Sequence, residues 1–572
     1  MTGALQSGIA AAMGAAWLPS ALRFHRALRR PREAQRESLG RILSLVRGSA
    51  QARTIDGFER VRTPEEYQRA VPLSTAEDYA PSVERQKHGA RAELTHEPVL
   101  RFEVTGGSSG PSKYVPYTRG LLRELHRALA PWLRDMFARH PAAGRGPGYW
   151  SVSPLGAGPR RTQGGTPIGA PDDAAYFPAF LQPLLRRVFA VPGSVAQLPD
   201  VDSARYVTLR LLLESPALAF ASVWNPSFLT LLFESLDTWA ERLADDVRDG
   251  RCRVPTRAGD AGDADRDGRI QAALARMRFR ALPVRAEQLR ALTRTGGPLP
   301  VTELWPRLAL VSTWTDAQAV RSLPALRARL PGVPLQGKGL LSTEAVVSVP
   351  LEGAPAPVLA VRSPFLEFIP ADAPADVPSV APSSARPLLA HELETGRTYE
   401  VVLSTAGGLL RYRIGDLVRV EGRFLETPCV RFVGRADQVS DLVGEKLHTA
   451  RVSAALASLA PLGGARSTVR FVMLAPEWGR PPAYHLFVEG DVSDDALAEA
   501  AVALDRRLND SHHYGYARQL GQLGPVRAVR VRDGARLYEA RLAATGQRAG
   551  VIKPADLHPT PGWLAHFTAG LT

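Results

Sequence analysis

The stretch Val104–Thr118, reading Val-Thr-Gly-Gly-Ser-Ser-Gly-Pro-Ser-Lys-Tyr-Val-Pro-Tyr-Thr, gathers the groups best suited to holding a polyphosphate. Glycines let main-chain N–H groups approach phosphate oxygens, hydroxyls add donors, and Lys113 supplies a compact charge. The spacing fits neither a Walker A loop nor the Gly-x-Gly-x-x-Gly of dinucleotide folds. Alone, it is as consistent with a surface turn beside a solvated lysine. Gln336–Glu344 is a second candidate, a loop emptying into the apolar run Ala345–Val349. Glu344 beside Thr343 suits Mg²⁺, which accepts one or two carboxylates plus phosphate oxygens; the alternative is an ordinary turn glutamate. In Arg411-Tyr-Arg-Ile-Gly-Asp416 a strand ends on a carboxylate able to accept both hydroxyls of a ribose. The competing reading is an ion pair with Arg413 or a neighbour.

Composition bounds what these groups can be doing. The chain has 572 residues, 45% of them hydrophobic, enough for a large core and at least two domains. Net charge is +14 and the pI near 10.1, so nucleic acid has to be weighed. The basic residues are scattered, however, with no run interleaved with stacking aromatics, and nucleic acid is not an expected partner. Only five of the 71 lysines and arginines are lysine: Lys87, Lys113, Lys338, Lys446 and Lys553. Four of them sit in glycine- or proline-marked motifs, which selects them as places where a compact ammonium is wanted. Two cysteines, Cys252 and Cys429, exclude a disulfide framework, and the histidines show no metal-binding spacing. The apolar start Ile9–Leu18 is short and lacks a basic region before it, favouring a packed helix over a signal peptide. No run reaches the ~20 apolar residues of a membrane span, and a cytoplasmic location is expected.

These candidates need elements to position them. Alternation over Val99–Val104 predicts a strand leading into the glycine-rich loop. Residues 19–90 and 121–137 carry helical periodicity, 205–250 reads as helical and apolar, and 149–153, 307–315 and 345–349 as strands. Residues 251–269 and 371–387 read as exposed loops. Close-set β-runs cover 399–403, 408–414, 417–420 and 430–434. A compact α+β pattern follows, with helices near 450–459 and 494–508 and strands near 467–474, 484–489 and 526–531. A boundary near Asp437 is expected, dividing the chain into 1–436 and 437–572. Gly434–Lys446, polar and bounded by glycine, has the character of a hinge. Lys553, in the late loop Gly546–Pro554, reaches a site in the large part only if the small domain folds over it.

Taken in order, the motifs resemble those of the adenylate-forming superfamily. They are most similar to the auxin-responsive acyl acid amido synthetase family, and within it to bacterial members. The residues that carry the resemblance are Ser108–Thr118, Gly337–Glu344, Gly408–Asp416, and Phe432–Asp437 running into Asp441–Lys446. Tyr149–Pro154, Ser222–Phe228 and Gly546–Pro554 add to it. Pro-Tyr-Thr after the loop lysine separates this family from acyl-CoA ligases, which usually place glycine directly after that lysine. Two positions depart from the pattern: Gly106 stands where serine is commoner, and Ala345 where glycine commonly follows the glutamate.

The resemblance implies an α/β fold, with a large N-terminal domain of mixed sheets flanked by helices and a small mobile α+β C-terminal domain. It implies ATP and Mg²⁺ as cofactors, and a carboxylic acid and an amine, such as that of an amino acid, as substrates. Thr105, Ser108, Ser109 and Gly110 with Lys113 would cradle phosphates, with Leu341, Ser342 and Thr343 beside the α-phosphate and Glu344 on the metal. Asp416 and Arg435 would attend the ribose, and Asp437 would be the pivot. Lys553 would serve adenylation and Lys446 the alternative domain orientation. Trp224 and Phe228 are candidates for the acyl pocket, although such a stripe is more often plain core. An acyl-CoA ligase and a non-catalytic nucleotide-binding relative are the competing readings.

Overall fold

The computed structural model describes the chain apart from residues 1–2, 106–112, 153–159, 171, 256–262, 295, 372–385, 437–438, 444, 446, 460–468, 545–551, 553 and 570–572. Elements that build the site are labelled here in chain order. Strands β1 (Arg101–Thr105) and β2 (Lys113–Tyr117) pair antiparallel with Thr105 opposite Lys113, so the glycine-rich loop joins the ends of a hairpin. Helix α1 (Arg119–Arg139) starts on Thr118, whose hydroxyl accepts the Leu121 N–H at 3.2 Å. Its apolar positions Leu121, Leu125, Ala128, Trp132 and Met136 recur every three or four residues and form one stripe. The N-terminal helix Gly3–Ala27 packs on α1 and buries Ile9, Met13 and Trp17, so the apolar start of the chain is part of the core. No helix among the described residues is long and apolar enough to cross a membrane.

A parallel sheet follows, built from β3 (Gly148–Trp150), β4 (Phe220–Ser222), β5 (Leu310–Ser312) and β6 (Leu335–Gln336), adjacent in that order. Every residue of β4 and β5 is buried, as expected for parallel strands covered on both faces. Helix α2 (Val201–Leu213) precedes β4, and α3 (Pro226–Asp249) follows it. The helical reading of 205–250 is therefore corrected in its middle: proline at 216 ends one helix, three residues enter the sheet, and Asn225 with Pro226 starts the next. Asn225 accepts the Ser227 N–H at 3.0 Å, and Gly250 closes α3 in the left-handed region at φ 68°. The loop reading of 251–269 is corrected at its end, where Asp263 caps a helix over Ala264–Leu274.

A seven-stranded sheet is assembled from residues between 348 and 435, and its two longest strands are β7 (Tyr412–Phe424) and β8 (Thr427–Arg435). Residues 408–411 stay outside it. Gly408 turns at φ 96°, where a Cβ would lie 2.6 Å from that of Leu94, and Arg411 has φ 47°. Beyond residue 438 a three-stranded sheet, Val469–Glu477, Ala483–Gly490 and Arg527–Arg530, packs with helices Asp494–Leu508 and α4 (Gly534–Ala544). Its segments agree with the α+β pattern expected there. Arg205 of α2 meets Glu539 of α4 at 2.9 Å, joining the two parts of the chain by a buried ion pair.

Candidate active site

One cavity of about 820 Å³ lies where the hairpin β1–β2, helix α1, the ends of the parallel strands and the start of β7 converge. Lys113, Thr343, Glu344, Asp416 and Arg435 all line it. Residues separated by some 320 positions in the chain thus face a common volume.

The turn that carries Thr343 and Glu344 is held by its own serine. The Ser342 hydroxyl accepts the Ala345 N–H at 3.1 Å, and the Ser342 N–H donates to the Ala345 carbonyl at 2.9 Å. Tyr117, buried at the end of β2, donates its hydroxyl to the Thr343 carbonyl at 2.7 Å, tying this turn to the lysine-bearing hairpin. Gly339 precedes the turn at φ 73°, and a Cβ there would sit 2.5 Å from the Ser348 carbonyl oxygen, so the backbone crossing admits only glycine. Leu341, Ser342 and Thr343 are half-buried on the cavity wall.

On the facing wall Asp416 lies opposite Arg435 across β7 and β8. The guanidinium stands 3.7 Å from the Asp416 carboxylate and donates to the Ile414 carbonyl at 2.9 Å. Arg413 instead binds Glu400 at 2.6 and 2.8 Å, and Arg411 is buried against Glu367. Both of these arginines are therefore occupied structurally, and the Asp416–Arg413 pairing does not form. Burial raises the Glu344 carboxyl above the usual carboxylate range; hydrogen bonds from its own backbone and Ser342 oppose this, Asp416 adds to it and Arg435 subtracts. Two carboxylates close enough to repel one another, with Arg435 beside Asp416, are a donor set that fits a divalent cation and a sugar diol. Among the described residues no three His, Cys, Asp or Glu side chains gather as a ready metal site. A cation here would draw further ligands from substrate oxygens and water.

The other half of the cavity is apolar, walled by α1 through Leu125, Leu129, Trp132 and Met136 and by Trp150 and Phe220. Trp224 belongs to this wall, with its ring 5.5 Å from that of Trp314. Phe228 does not: it is buried in the core between α3 and the parallel sheet, which corrects its assignment to the acyl pocket. The α1 stripe was legible as an amphipathic face, but periodicity cannot separate a face packed on core from one facing a void. Lys338 was marked by its rarity in this arginine-rich chain and proves to line the cavity. Lys113 is exposed at the start of β2 on the cavity's rim. Ser108, Ser109, Gly110, Asp437, Lys446 and Lys553 lie outside the described residues, as does the Thr105 side chain.

Comparison with known proteins places this architecture. The GH3 family N-terminal domain matches residues 21–335, the GH3 family central domain 357–435 and the GH3 family C-terminal domain 449–557. A probable indole-3-acetic acid-amido synthetase of rice is 27% identical over 465 residues, covering 74% of this chain and 72% of its own. An indole-3-acetic acid-amido synthetase of Arabidopsis thaliana is 26% identical over 535 residues, covering 86% and 87%. A jasmonoyl–L-amino acid synthetase of rice is 24% identical over 526 residues, covering 87% of each. The solved structure of the acyl acid amido synthetase GH3.15 superposes with a TM-score of 0.79 at 17% identity, over 96% of this chain and 95% of that one. That likeness is one of fold.

Proposed function

The chain belongs to the GH3 family, and from that premise we propose that it is an ATP-dependent acyl acid amido synthetase. The observation that carries the reading is the division of one cavity into a polar half bearing Lys113, Thr343, Glu344, Asp416 and Arg435 and an apolar half able to take an acyl chain or ring.

In the first step a carboxylate oxygen attacks the α-phosphorus of ATP. An acyl–O–P bond forms, the bond to the bridging oxygen of the β-phosphate breaks, and pyrophosphate leaves. In the second step an amine nitrogen, that of an amino acid, attacks the acyl carbon; the amide forms, AMP departs, and the amine gives up a proton. No enzyme nucleophile is required, so the work of the residues is alignment and charge neutralisation. Lys113 and the loop Ser108–Gly110 hold the β- and γ-phosphates, Thr343 the α-phosphate, and Asp416 the ribose, with Arg435 held beside it. Glu344 is the residue that would hold Mg²⁺, which supplies positive charge to the phosphate oxygens. Lys553 serves adenylation, and Lys446 the second step after the chain turns at Asp437.

The test is carboxylate-dependent exchange of labelled pyrophosphate into ATP, across aromatic, fatty and hydroxy acids, followed by product analysis with amino acids and with coenzyme A. Exchange with one class of acid and amide formation only when an amine is added is the expected result. Thioester formation without amide overturns the acceptor assignment, and silence across the panel with ATP bound overturns the whole reading. Lys553→Ala is expected to abolish exchange while sparing amide formation from supplied acyl-adenylate; equal loss in both would refute its role.

A further inference from the structure

We infer that Arg41, Arg127 and Arg362, where the helix Pro31–Val46, α1 and the turn at 361–364 meet, form a binding site for a small, multiply charged oxyanion of the phosphate type. The site lies apart from the cavity that Lys113, Glu344 and Asp416 line: among the described residues, none of the three arginines borders that cavity.

The three elements are tied to one another around these side chains. Arg41 donates through Nη2 to the Arg362 carbonyl at 2.9 Å and to the Ser38 hydroxyl at 2.7 Å. Gln35, on the same helix, donates to the Val361 and Pro364 carbonyls, each at 2.9 Å. From the other side, the Ser363 hydroxyl donates to the Glu124 carbonyl on α1 at 2.9 Å, one helical turn before Arg127. Arg127 is two residues from Leu125 and from Leu129, so roughly 200° of helix rotation turns it away from the acyl wall those leucines form. The Arg127 and Arg362 side chains are half-buried, and among the described residues neither makes a hydrogen bond or an ion pair. Their guanidinium groups are held at a packed junction without a partner.

Like charges gathered this way repel one another. Burial first, then Arg127 and Arg362, pull the Arg41 guanidinium down to about 10, against Glu124 and Glu37. Arg362 is lowered by burial, Arg127 and Arg23, with Glu37 opposing; Arg127 is lowered by burial and Arg123, with Glu124 opposing. All of them stay cationic at neutral pH. The two acids do not neutralise the cluster. Glu37 is exposed and, among the described residues, pairs with none of these arginines. Glu124 is 1% exposed, and burial raises its carboxyl to about 8, so it is mostly protonated at neutral pH. An oxyanion of two or more charges would relieve the repulsion, and guanidinium forks match the tetrahedral oxygens with paired, charge-assisted hydrogen bonds. Half-burial of the arginines favours a small ion over an extended polyanion.

The experiment melts the full chain in sodium chloride, inorganic phosphate and sulfate at equal ionic strength, the oxyanions at millimolar concentration. Wild type is compared with Arg127→Gln, Arg362→Gln and Lys113→Ala. Phosphate and sulfate should raise the wild-type melting temperature over chloride by about 2 °C or more. General salting-out acts on every variant alike, so the difference between variants is the reading. Either arginine substitution should remove most of the rise, whereas Lys113→Ala should keep it. In chloride the two arginine variants should melt at or above wild type, because a repelling charge has gone. No oxyanion-dependent rise in wild type overturns the inference, as does a rise that survives both arginine substitutions. A rise lost in Lys113→Ala but kept in the arginine variants would put the anion in the cavity instead, and overturns it too. So would arginine variants that melt below wild type by the same amount in all three salts, since the arginines would then serve packing alone. If one arginine variant does not fold, the other decides by the same criteria.

Discussion

Replacing Arg205 with Met should make the docking of the C-terminal segment sensitive to alkaline pH, and the size of the effect follows from one ion pair. Arg205 and Glu539 meet at 2.9 Å with side chains only 6% and 11% exposed. Burial raises the Glu539 carboxyl from 4.5 to about 7, with Arg205 pulling it down. Between those pH values the folded chain keeps a proton that the unfolded chain has released. Stability from this group is thus fully present below about pH 4.5 and is lost as pH rises to about 7, at ~1.4 kcal/mol per unit and about 3 kcal/mol in all. Above that both states are ionised and the profile is flat. Removing the guanidinium deletes an attraction of about 4 kcal/mol, taking unit charges about 4 Å apart at an effective dielectric constant of about 20. Glu539 then holds its proton well into the alkaline range. Apart from a pH-independent offset, the variant should run parallel to wild type near pH 5 and fall behind it by ~1.4 kcal/mol for each unit above about 7. Asp202, 3.9 Å from the same guanidinium, is lost as a partner at every pH and shifts the variant's curve without changing its slope. Hydrogen-exchange protection of the α4 amides, corrected for intrinsic rates and measured from pH 5 to 9, reads this directly. Glu539→Gln should remove this part of the slope in either background. Parallel curves for wild type and Arg205→Met above pH 7, or a difference in slope between them that survives Glu539→Gln, would refute the reasoning.

Further outcomes follow from the site and the core. Asp416→Ala should raise the KM for ATP about tenfold or more, with little change in the KM for the acid, as read by pyrophosphate exchange. Glu344→Gln should lower exchange by at least about a hundredfold and weaken its dependence on Mg²⁺ concentration, seen in a metal titration. Phe228→Ala should cost about 3–5 kcal/mol in chemical denaturation without altering the ranking of acids, because that ring packs in the core, whereas Leu129→Phe should change the ranking at small cost in stability. Glu124, fully buried and raised to about 8 by desolvation with only the Ala406 N–H and two arginines opposing, should make stability fall as pH rises from about 4.5 to 8. Glu124→Gln should remove that part of the slope in denaturation curves taken across the range.

Local rules carried much of the architecture. Alternation at Val99–Val104 pointed to a strand because successive side chains of a strand face opposite sides, and residues after 438 fell into helix and strand because each segment has one period and clear punctuation. The candidate groups Lys113, Glu344, Asp416 and Arg435 were legible because glycine, charge and strand ends coincide at each, and the order of the motifs supplied the chemistry they suggest. Where two surroundings satisfy the same pattern, local rules gave no answer. Phe228 and Leu129 are both apolar residues of amphipathic helices, but Phe228 is enclosed by packed side chains and Leu129 faces an open volume, a distinction made by elements far apart in the chain. Asp416 has arginines at 411, 413 and 435 to choose among. Strand register puts Arg435 opposite it and gives Arg413 to Glu400. Lys338 stood out by type, but its burial between two indoles required β4, α1 and the tight glycine-flanked backbone to meet. Spacing along a chain constrains neighbours a few residues away; which distant faces close around a cavity depends on how the sheets and helices pack.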